Sequence, residues 1–218
     1  MKLELIFLGP PACGKGTQTE RLAKFLGFPH IDTGSLLRAE ISKATPDGIV
    51  AKSFIDKGQL VPPDLVGNII RTRLLESDCK SGYVLDGYPR SLAQAEMLEK
   101  INSEIDSEEV DFKAIYFDID TEILIERIVN RQSCSNCGEI YNKKFKPAKV
   151  ENICDKCGAA LKTRADDTEE IARARFDTYF RETAPLIDFY KQKEQLYKMD
   201  ANGSIDEVWN RLIEIVKK

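Results

Sequence analysis

The chain has 218 residues, of which 42% are hydrophobic and 31% are charged, and its formal net charge is −4 at pH 7. A chain of this length can bury roughly 70% of its unfolded surface, and the mixed, slightly acidic charge gives no global reason to expect nucleic acid or an anionic membrane as a partner. With no apolar run as long as a membrane span and no cleavable signal pattern, we expect a cytoplasmic protein that does not enter a membrane.

Short apolar runs alternate with amphipathic patterns along the chain. The runs lie at residues 3–8, 83–85 and 114–119, with a weaker candidate at 196–199. Buried strands that alternate with helices predict an α/β fold with a doubly wound parallel sheet and a ligand cleft at the carboxyl ends of its strands.

Two segments break this alternation, and a third is a polar connection. Residues 32–62 and 132–165 are expected to be insertions over the cleft. Residues 102–111 are predicted to be an acidic, exposed connection before the next strand.

The first apolar run leads directly into a glycine-bounded turn, Gly-Pro-Pro-Ala-Cys-Gly-Lys-Gly-Thr at residues 9–17. When such a loop opens a helix, its backbone N–H groups, the helix dipole and Lys15 together favour a polyphosphate. The hydroxyl arrives at Thr17, one position later than in the strict pattern, because Gly16 follows Lys15.

Two polar motifs precede the middle of the chain. Residues 33–38, Thr-Gly-Ser-Leu-Leu-Arg, are alone equally consistent with a helix N-cap and a surface arginine. At residues 82–90 a buried strand ends in Asp86, followed by a glycine and by Arg90 after a proline. An aspartate beside a phosphate loop commonly orients the water ligands of magnesium, whereas the alternative is a simple Asp-Gly turn. His30, the single histidine, is expected to be structural.

A helical pattern that begins at Thr121 carries two inward-facing arginines. Arg127 and Arg131 share the face of Leu124 and Ile128. Like charges four residues apart destabilise a helix unless an anion compensates them. We therefore expect a phosphate there, the alternative being neutralisation by nearby carboxylates.

Four of the six cysteines form two Cys-x-x-Cys pairs, Cys134 with Cys137 and Cys154 with Cys157, sixteen residues apart. This spacing predicts one tetrahedral zinc with four sulfur ligands and a structural role. Disulfides or free thiols are the alternatives, and a catalytic zinc is disfavoured because no histidine lies nearby.

A long helix follows the cysteines. Asp167 and Glu170 have the spacing of a capping box at its start. Arg175 lies on the apolar side of this helix and Arg173 points to solvent, while Arg164 just precedes it. Arg175 is thus the candidate functional residue.

Taken in order, these motifs, together with Gly-Gln-Leu-Val at 58–61, resemble adenylate kinases of the bacterial long-lid form, whose lid carries a four-cysteine zinc site. The resemblance covers essentially the whole chain. It implies reversible transfer of the terminal phosphoryl group of MgATP to AMP, giving two ADP. It also implies a monomer built on a five-stranded P-loop core with two mobile lobes. The core is residues 1–31, 63–130 and 166–218, the AMP-binding lobe is 32–62, and the zinc-binding lid is 131–165.

The resemblance also implies the residues of the site. The catalytic groups would be Lys15, Asp86, Arg90, Arg131, Arg164 and Arg175. ATP would contact Ala12, Cys13, Gly14, Lys15, Gly16, Thr17, Arg127, Arg131, Ile140, Tyr141 and Gly203. AMP would contact Thr33, Arg38, Gln59, Leu60, Val61, Gly87, Tyr88, Pro89, Arg90, Gln94, Arg164 and Arg175. Cys134, Cys137, Cys154 and Cys157 would bind one structural Zn²⁺, and Mg²⁺ would arrive with ATP.

Three departures from the family pattern stand in the sequence. Ala12 replaces a usual glycine, which is acceptable if its φ is negative. Ser35 replaces a usual aspartate, and Asp-Ala-Asn-Gly at 200–203 replaces a usual Asp-Gly. Cys13, beside Lys15, is either a small filler or an acidic, oxidisable thiol.

Two other functions are considered. A pyrimidine monophosphate kinase would resemble this chain with a short lid and a different residue at Thr33. A nucleic-acid-binding module would use the lid, where residues 131–164 hold eight Lys/Arg and three Asp/Glu. Few aromatic residues are interleaved there, chiefly Tyr141 and Phe145, so base stacking is poorly provided for.

Overall fold

A computed structural model describes residues 2–105 and 109–217. Its strands are β1 (Lys2–Leu8), β2 (His30–Asp32), β3 (Gly82–Asp86), β4 (Val110–Asp118), β5 (Arg131–Cys134), β6 (Ile140–Asn142), β7 (Leu161–Lys162) and β8 (Leu196–Asp200). Its helices are α1 (Lys15–Leu26), α2 (Thr33–Ser42), α3 (Pro46–Ile55), α4 (Pro63–Leu74), α5 (Leu92–Ile105), α6 (Leu124–Val129), α7 (Glu169–Thr178), α8 (Pro185–Gln192) and α9 (Ile205–Val216). A π-helical turn, Tyr179–Thr183, joins α7 to α8.

The central sheet has five parallel strands in the order β2-β3-β1-β4-β8. The parallel α/β fold predicted from the alternating runs is therefore confirmed. Asp32 of β2 pairs with Asp86 of β3, and Asp118 of β4 pairs with Asp200 of β8, so the carboxyl ends of the strands lie along one edge. A ligand crevice is expected outside that edge.

Both faces of this sheet are buried. Successive residues of β1 point to opposite faces, with Leu5 and Phe7 in the hydrophobic cluster beside α1 and α9. Ile6 and Leu8 lie in the other cluster, which includes residues of α4, α5 and α8. This alternation explains why residues 5–8 of the strand are all apolar and why helices cover both faces of the sheet.

The strand β2 was not predicted from the sequence. It has only three residues, His30–Asp32, and forms one edge of the sheet, where a short polar strand gives no apolar run. The prediction that residues 102–111 form a connection is wrong at both ends, because α5 continues to Ile105 and β4 begins at Val110. The part of that prediction at residues 106–108 lies outside the described residues.

Two segments add elements beyond the central sheet and its covering helices. The helices α2 and α3 lie between β2 and α4. The strands β5, β6 and β7 form a second, antiparallel sheet in the order β6-β5-β7. The lobe boundaries given above stay a prediction. Within residues 2–105 and 109–217, no helix is both long and apolar enough to cross a membrane.

Candidate active site

The loop between β1 and α1 folds around the lysine at the start of the helix. Lys15 Nζ donates hydrogen bonds to the carbonyl oxygens of Gly9 at 2.6 Å and Pro10 at 3.1 Å, and lies 3.4 Å from Cys13 Sγ. Gly14 is the N-cap with φ of 94°, a left-handed conformation that favours glycine, and it provides no side-chain cap for the first N–H groups. Those groups and the ammonium form a site for an anion.

The backbone at Ala12 has a conformation that alanine rarely adopts. Its φ is +61°, so the condition under which alanine would be acceptable in place of glycine is not met. A left-handed conformation costs an L-residue roughly 1–2 kcal/mol. The methyl group packs against the apolar cluster of Leu124, Ile128 and Phe176, which offsets part of this cost. The loop is thus packed against α6 and α7.

A cavity lies between the carboxyl ends of the strands, α2, the segment 58–61 and α7. Ten of the residues predicted to contact AMP line it: Thr33, Arg38, Gln59, Leu60, Val61, Gly87, Pro89, Arg90, Gln94 and Arg175. The hydroxyl of Thr33 is buried and finds no hydrogen-bond partner among the described residues. A buried polar atom without a partner is costly, so this hydroxyl suits a ligand that bears a donor or acceptor.

Tyr88 does not line this cavity. Its ring is 1% exposed, and burial raises the pKa of its phenol well above the usual range. A contact between this residue and AMP would have to come from its backbone.

Positive charge converges beside the cavity. Burial and the neighbouring guanidinium of Arg131 lower the pKa of Arg164 and of Arg175 to about 10. Burial also lowers the pKa of Arg90. Grouped, desolvated cations lose proton affinity because each disfavours the charge of its neighbours. A polyanion placed among them would relieve that cost.

Asp167 has a different role from the one its spacing predicted. Thr168 caps α7, because its hydroxyl accepts a hydrogen bond from Ile171 N at 3.3 Å. The Asp167 carboxylate is fully buried and accepts from both Arg131 Nε at 2.8 Å and Arg131 Nη2. It also accepts from Arg175 Nη1 at 3.4 Å. The capping prediction for Asp167 is wrong, and the carboxylate instead links two of the arginines.

The carboxylates of Asp32 and Asp86 lie at the carboxyl ends of the adjacent strands β2 and β3. Thr19 Oγ1 donates to Asp86 Oδ2 at 3.3 Å and lies 3.0 Å from His30 Nε2, in keeping with a structural histidine. Burial raises the pKa of Asp86, and the charge of Asp32 raises it further. A Cβ on Gly16 would lie 3.4 Å from Asp86 Oδ2, so the carboxylate directly faces the phosphate loop. An oxygen donor there fits the water shell of Mg²⁺.

Comparison with known proteins agrees with this geometry. The sequence model of the family described as "Adenylate kinase" matches residues 7–195. The chain is 44% identical over 216 residues to the adenylate kinase of Thermodesulfovibrio yellowstonii, covering 99% of this chain and all of that protein. It is 43% identical to those of Archaeoglobus fulgidus, over 99% of both chains, and of Clostridium novyi, over 96% of both. The chain belongs to the adenylate kinase family.

In this member of the adenylate kinase family, four cysteine side chains form one cluster: Cys134, Cys137, Cys154 and Cys157. Their Sγ atoms all lie within 4.8 Å of one another. Cys134 and Cys157 are separated by 3.4 Å and Cys137 and Cys154 by 3.6 Å. Disulfide sulfurs are about 2.05 Å apart, whereas four thiolates about 2.3 Å from a tetrahedral zinc are separated by about 3.8 Å. All six cysteines are free, and the cluster could hold a metal.

Each cysteine pair lies on the same type of turn. Gly138 and Gly158 follow the pairs with φ of 74° and 73°. Their N–H groups donate to the carbonyl oxygens of Cys134 at 3.2 Å and Cys154 at 2.9 Å. The repetition of one turn, with glycine where the backbone is left-handed, is typical of paired metal-binding knuckles.

The side chain of Tyr141 lies in the lid core. Its hydroxyl is 3.6 Å from Cys154 Sγ and accepts from Asp155 N at 2.8 Å. The neighbouring Ile140 belongs to the same strand, β6, and is half-buried. Any contact of Tyr141 with ATP would therefore come from its backbone.

Two other residues predicted to contact ATP are more open. The Arg127 guanidinium lies 5.4 Å from the ring centre of Phe145, which is 45% exposed. Gly203, with φ of 113°, precedes the capping box of α9 at Ser204 and Glu207.

Two threonines that no sequence motif singles out, Thr178 and Thr183, link the cavity wall to α7 and to the π-helical turn after it. Thr178 Oγ1 donates to Gly58 O at 3.1 Å, and Thr183 Oγ1 donates to Arg90 O at 2.7 Å. A Cβ on Gly58 would lie 3.1 Å from Ala174 Cβ, so this segment packs closely on α7. Neither threonine belongs to a recognisable motif, and only their positions in the fold reveal them.

Proposed function

We propose that this chain catalyses the reversible transfer of the terminal phosphoryl group of MgATP to AMP, giving two ADP. The observation that carries the proposal is one cavity that brings Lys15 of the phosphate loop together with Arg38, Arg90 and Arg175. Thr33 and Gln94, which are predicted to face the AMP base, line the same cavity, and Arg131 and Arg164 lie close to its arginines.

The donor side is built on the loop and the lid. Lys15 and the first N–H groups of α1 would hold the ATP phosphates, and Arg127 would lie against the base. Gly203 and the backbone of residues 140–141 would complete this side.

On the acceptor side, Arg38 and Arg90 would hold the AMP phosphate, with Thr33 and Gln94 facing the base. Gln94 Oε1 accepts a hydrogen bond from Arg90 N at 2.7 Å. This bond fixes the side chain that would face the base relative to the arginine that would hold the phosphate.

Transfer then depends on placement and charge. Arg131, Arg164 and Arg175 would surround the transferring group, and their mutual repulsion favours a polyanion over water. No general base is required, because positioning and charge stabilisation carry this chemistry. A lid that covers the cleft would exclude water as an acceptor and suppress hydrolysis of ATP.

Two metal ions fit the residues present. The sulfur separations in the lid suit Zn²⁺, which would hold a small lobe together without taking part in the reaction. The buried Asp86 carboxylate suits the water shell of the Mg²⁺ that accompanies ATP and offsets phosphate charge.

We further propose that the chain is a monomer in the cytoplasm. All the nucleotide-binding groups named above come from one chain, so the site needs no residue from a second copy. Neither nucleic acid nor a membrane is proposed as a partner.

The test is a substrate comparison. Purified protein with MgATP should form ADP when offered AMP, and much less diphosphate with UMP, CMP or GMP. Lys15→Gln should lower kcat/KM at least about 100-fold because it removes the charge in the phosphate loop. Lys57→Gln, at an exposed lysine outside the cavity lining, serves as the matched control. A preference for UMP or CMP, or no ADP from ATP and AMP, would reject the proposal.

A further inference from the structure

Asp32 is not among the residues that would contact a nucleotide in the proposed reaction. It is the last residue of β2 and the N-cap of α2, and it lies in register with Asp86 on the neighbouring strand. Among the described residues, the cavity lining includes Arg38 but not Asp32. We therefore expect Asp32 to influence a bound nucleotide through a neighbouring group that does line the cavity.

The carboxylate of Asp32 has two sets of partners. Toward the helix, Oδ1 accepts from Gly34 N at 3.1 Å and Oδ2 accepts from Ser35 N at 3.0 Å, which is the cap. Toward the cavity, Oδ2 also accepts from Arg38 Nη2 at 3.1 Å. Ser35 Oγ donates to the same carboxylate and accepts from Arg38 Nη2 at 3.0 Å. The guanidinium is thus folded back over the first turn of its own helix.

The ion pair with Asp32 keeps Arg38 close to two other arginines that repel it. The positive charge of Arg38 contributes, after burial, to the lowered pKa of Arg164 and of Arg90. An arginine that is 39% exposed and faces two cations would gain by turning outward into water. A Cβ on Gly34 would lie 3.0 Å from Arg38 Nη1, so the guanidinium passes directly over a residue without a side chain.

We propose that Asp32 is a positioning residue for the phosphoryl acceptor: its carboxylate holds the Arg38 guanidinium at the cavity wall, where it meets the phosphate of the nucleoside monophosphate. This inference rests on the proposed function. The cap alone does not require a carboxylate, because asparagine and serine cap helices about as well as aspartate. The ion pair with Arg38 does require it.

The first experiment separates these two roles with Asp32→Asn, which keeps a capping side chain and removes the charge. We expect KM for AMP to rise about tenfold, since a charge-assisted hydrogen bond becomes a neutral one. KM for ATP, kcat and Tm should stay near the wild-type values. Asp56→Asn is the matched control, because Asp56 is an exposed aspartate of the same lobe that pairs with Lys52 outside the cavity.

The second experiment tests whether the effect passes through Arg38. In an Arg38→Gln background, Asp32→Asn should no longer change KM for AMP, as a double-mutant cycle would show. The double variant Asp32→Ser with Ser35→Asp moves the carboxylate to a position that already contacts Arg38, and it should restore most of the affinity.

The outcomes distinguish the two proposals. AMP affinity measured by calorimetry gives a readout that does not depend on turnover. If the wild-type protein forms ADP but Asp32→Asn binds AMP normally, or if its effect persists in the Arg38→Gln background, the positioning role is overturned and the proposed function stands. If the wild-type protein neither binds AMP nor forms ADP, the proposed function fails and the inference fails with it.

Discussion

Asp167 shows how one buried charge organises several others. Its side chain is fully buried, and it bonds to Arg131 from the start of the lid and to Arg175 from α7. Removing one partner of a buried ion pair is costly, because the remaining charges are then desolvated without compensation.

We predict that Asp167→Asn lowers the free energy of unfolding by about 3 kcal/mol, a Tm decrease of about 6–12 °C. The matched control is Glu169→Gln, which also removes a carboxylate that pairs with an arginine near the start of α7. Both members of that pair are more than 60% exposed, so its loss should change stability by less than about 0.5 kcal/mol. Equal effects in thermal unfolding would show that burial does not distinguish the two pairs.

Residues with a local pattern could be predicted, and residues with distant partners could not. Lys15 and the four cysteines were identified because the chemistry needs their spacing along the chain. The role of Asp167 depends on Arg131, thirty-six positions away, and that partner is visible only in the fold. Asp32 was missed although Arg38 is only six positions away, because their ion pair depends on how α2 begins at the end of β2.

At the level of elements, the lid has little apolar core of its own. Its buried cluster consists of Cys134, Tyr141, Cys154 and Leu161. Two of those four residues are cysteines, so little apolar area would remain to hold β5, β6 and β7 together without a metal.

Metal removal should therefore unfold the lid and leave the core folded. The purified protein is expected to contain one zinc per chain. A chelator should abolish amide hydrogen-exchange protection in residues 131–165 but not in β1, β3 and β4. Cys157→Ser should have the same local effect, whereas Cys79→Ser, at a buried cysteine outside the cluster, should retain the metal. Full protection of the lid after complete metal loss would contradict this role.

Strands that contain a run of apolar residues could be predicted from the sequence, and elements without such a run could not. The runs at 3–8 and 83–85 lie in β1 and β3, which are central and buried on both faces. The edge strand β2 was missed, as was the π-helical turn Tyr179–Thr183. Both missed elements carry residues of the site, Asp32 and Thr183. The position of the backbone matters for these residues more than core packing does, so no apolar pattern marks them.

At the scale of the whole molecule, an ion pair links the segment predicted to be the lid to helix α1. Lys156 Nζ of the lid lies 3.9 Å from Glu20 Oε1 of α1 and 3.6 Å from Glu139 Oε2 of the lid. The charges of Glu20 and Glu139 raise the pKa of Lys156. Both ends of the contact are well exposed, with half of the lysine side chain in solvent, so salt should screen it strongly.

We predict that this pair weakly favours the closed lid. Lys156→Gln should raise KM for ATP by about two- to threefold at low ionic strength, an effect of the size typical of exposed ion pairs. Above about 0.5 M salt, where the Debye length is only a few ångströms, the difference from the wild type should vanish. Because either substitution removes one positive charge from the lid, Lys149→Gln, at an exposed lid lysine outside this pair, controls for the general attraction of ATP. If the two variants respond identically at every salt concentration, the contact with Glu20 does not hold the lid, and closure depends on the nucleotide and the arginines alone.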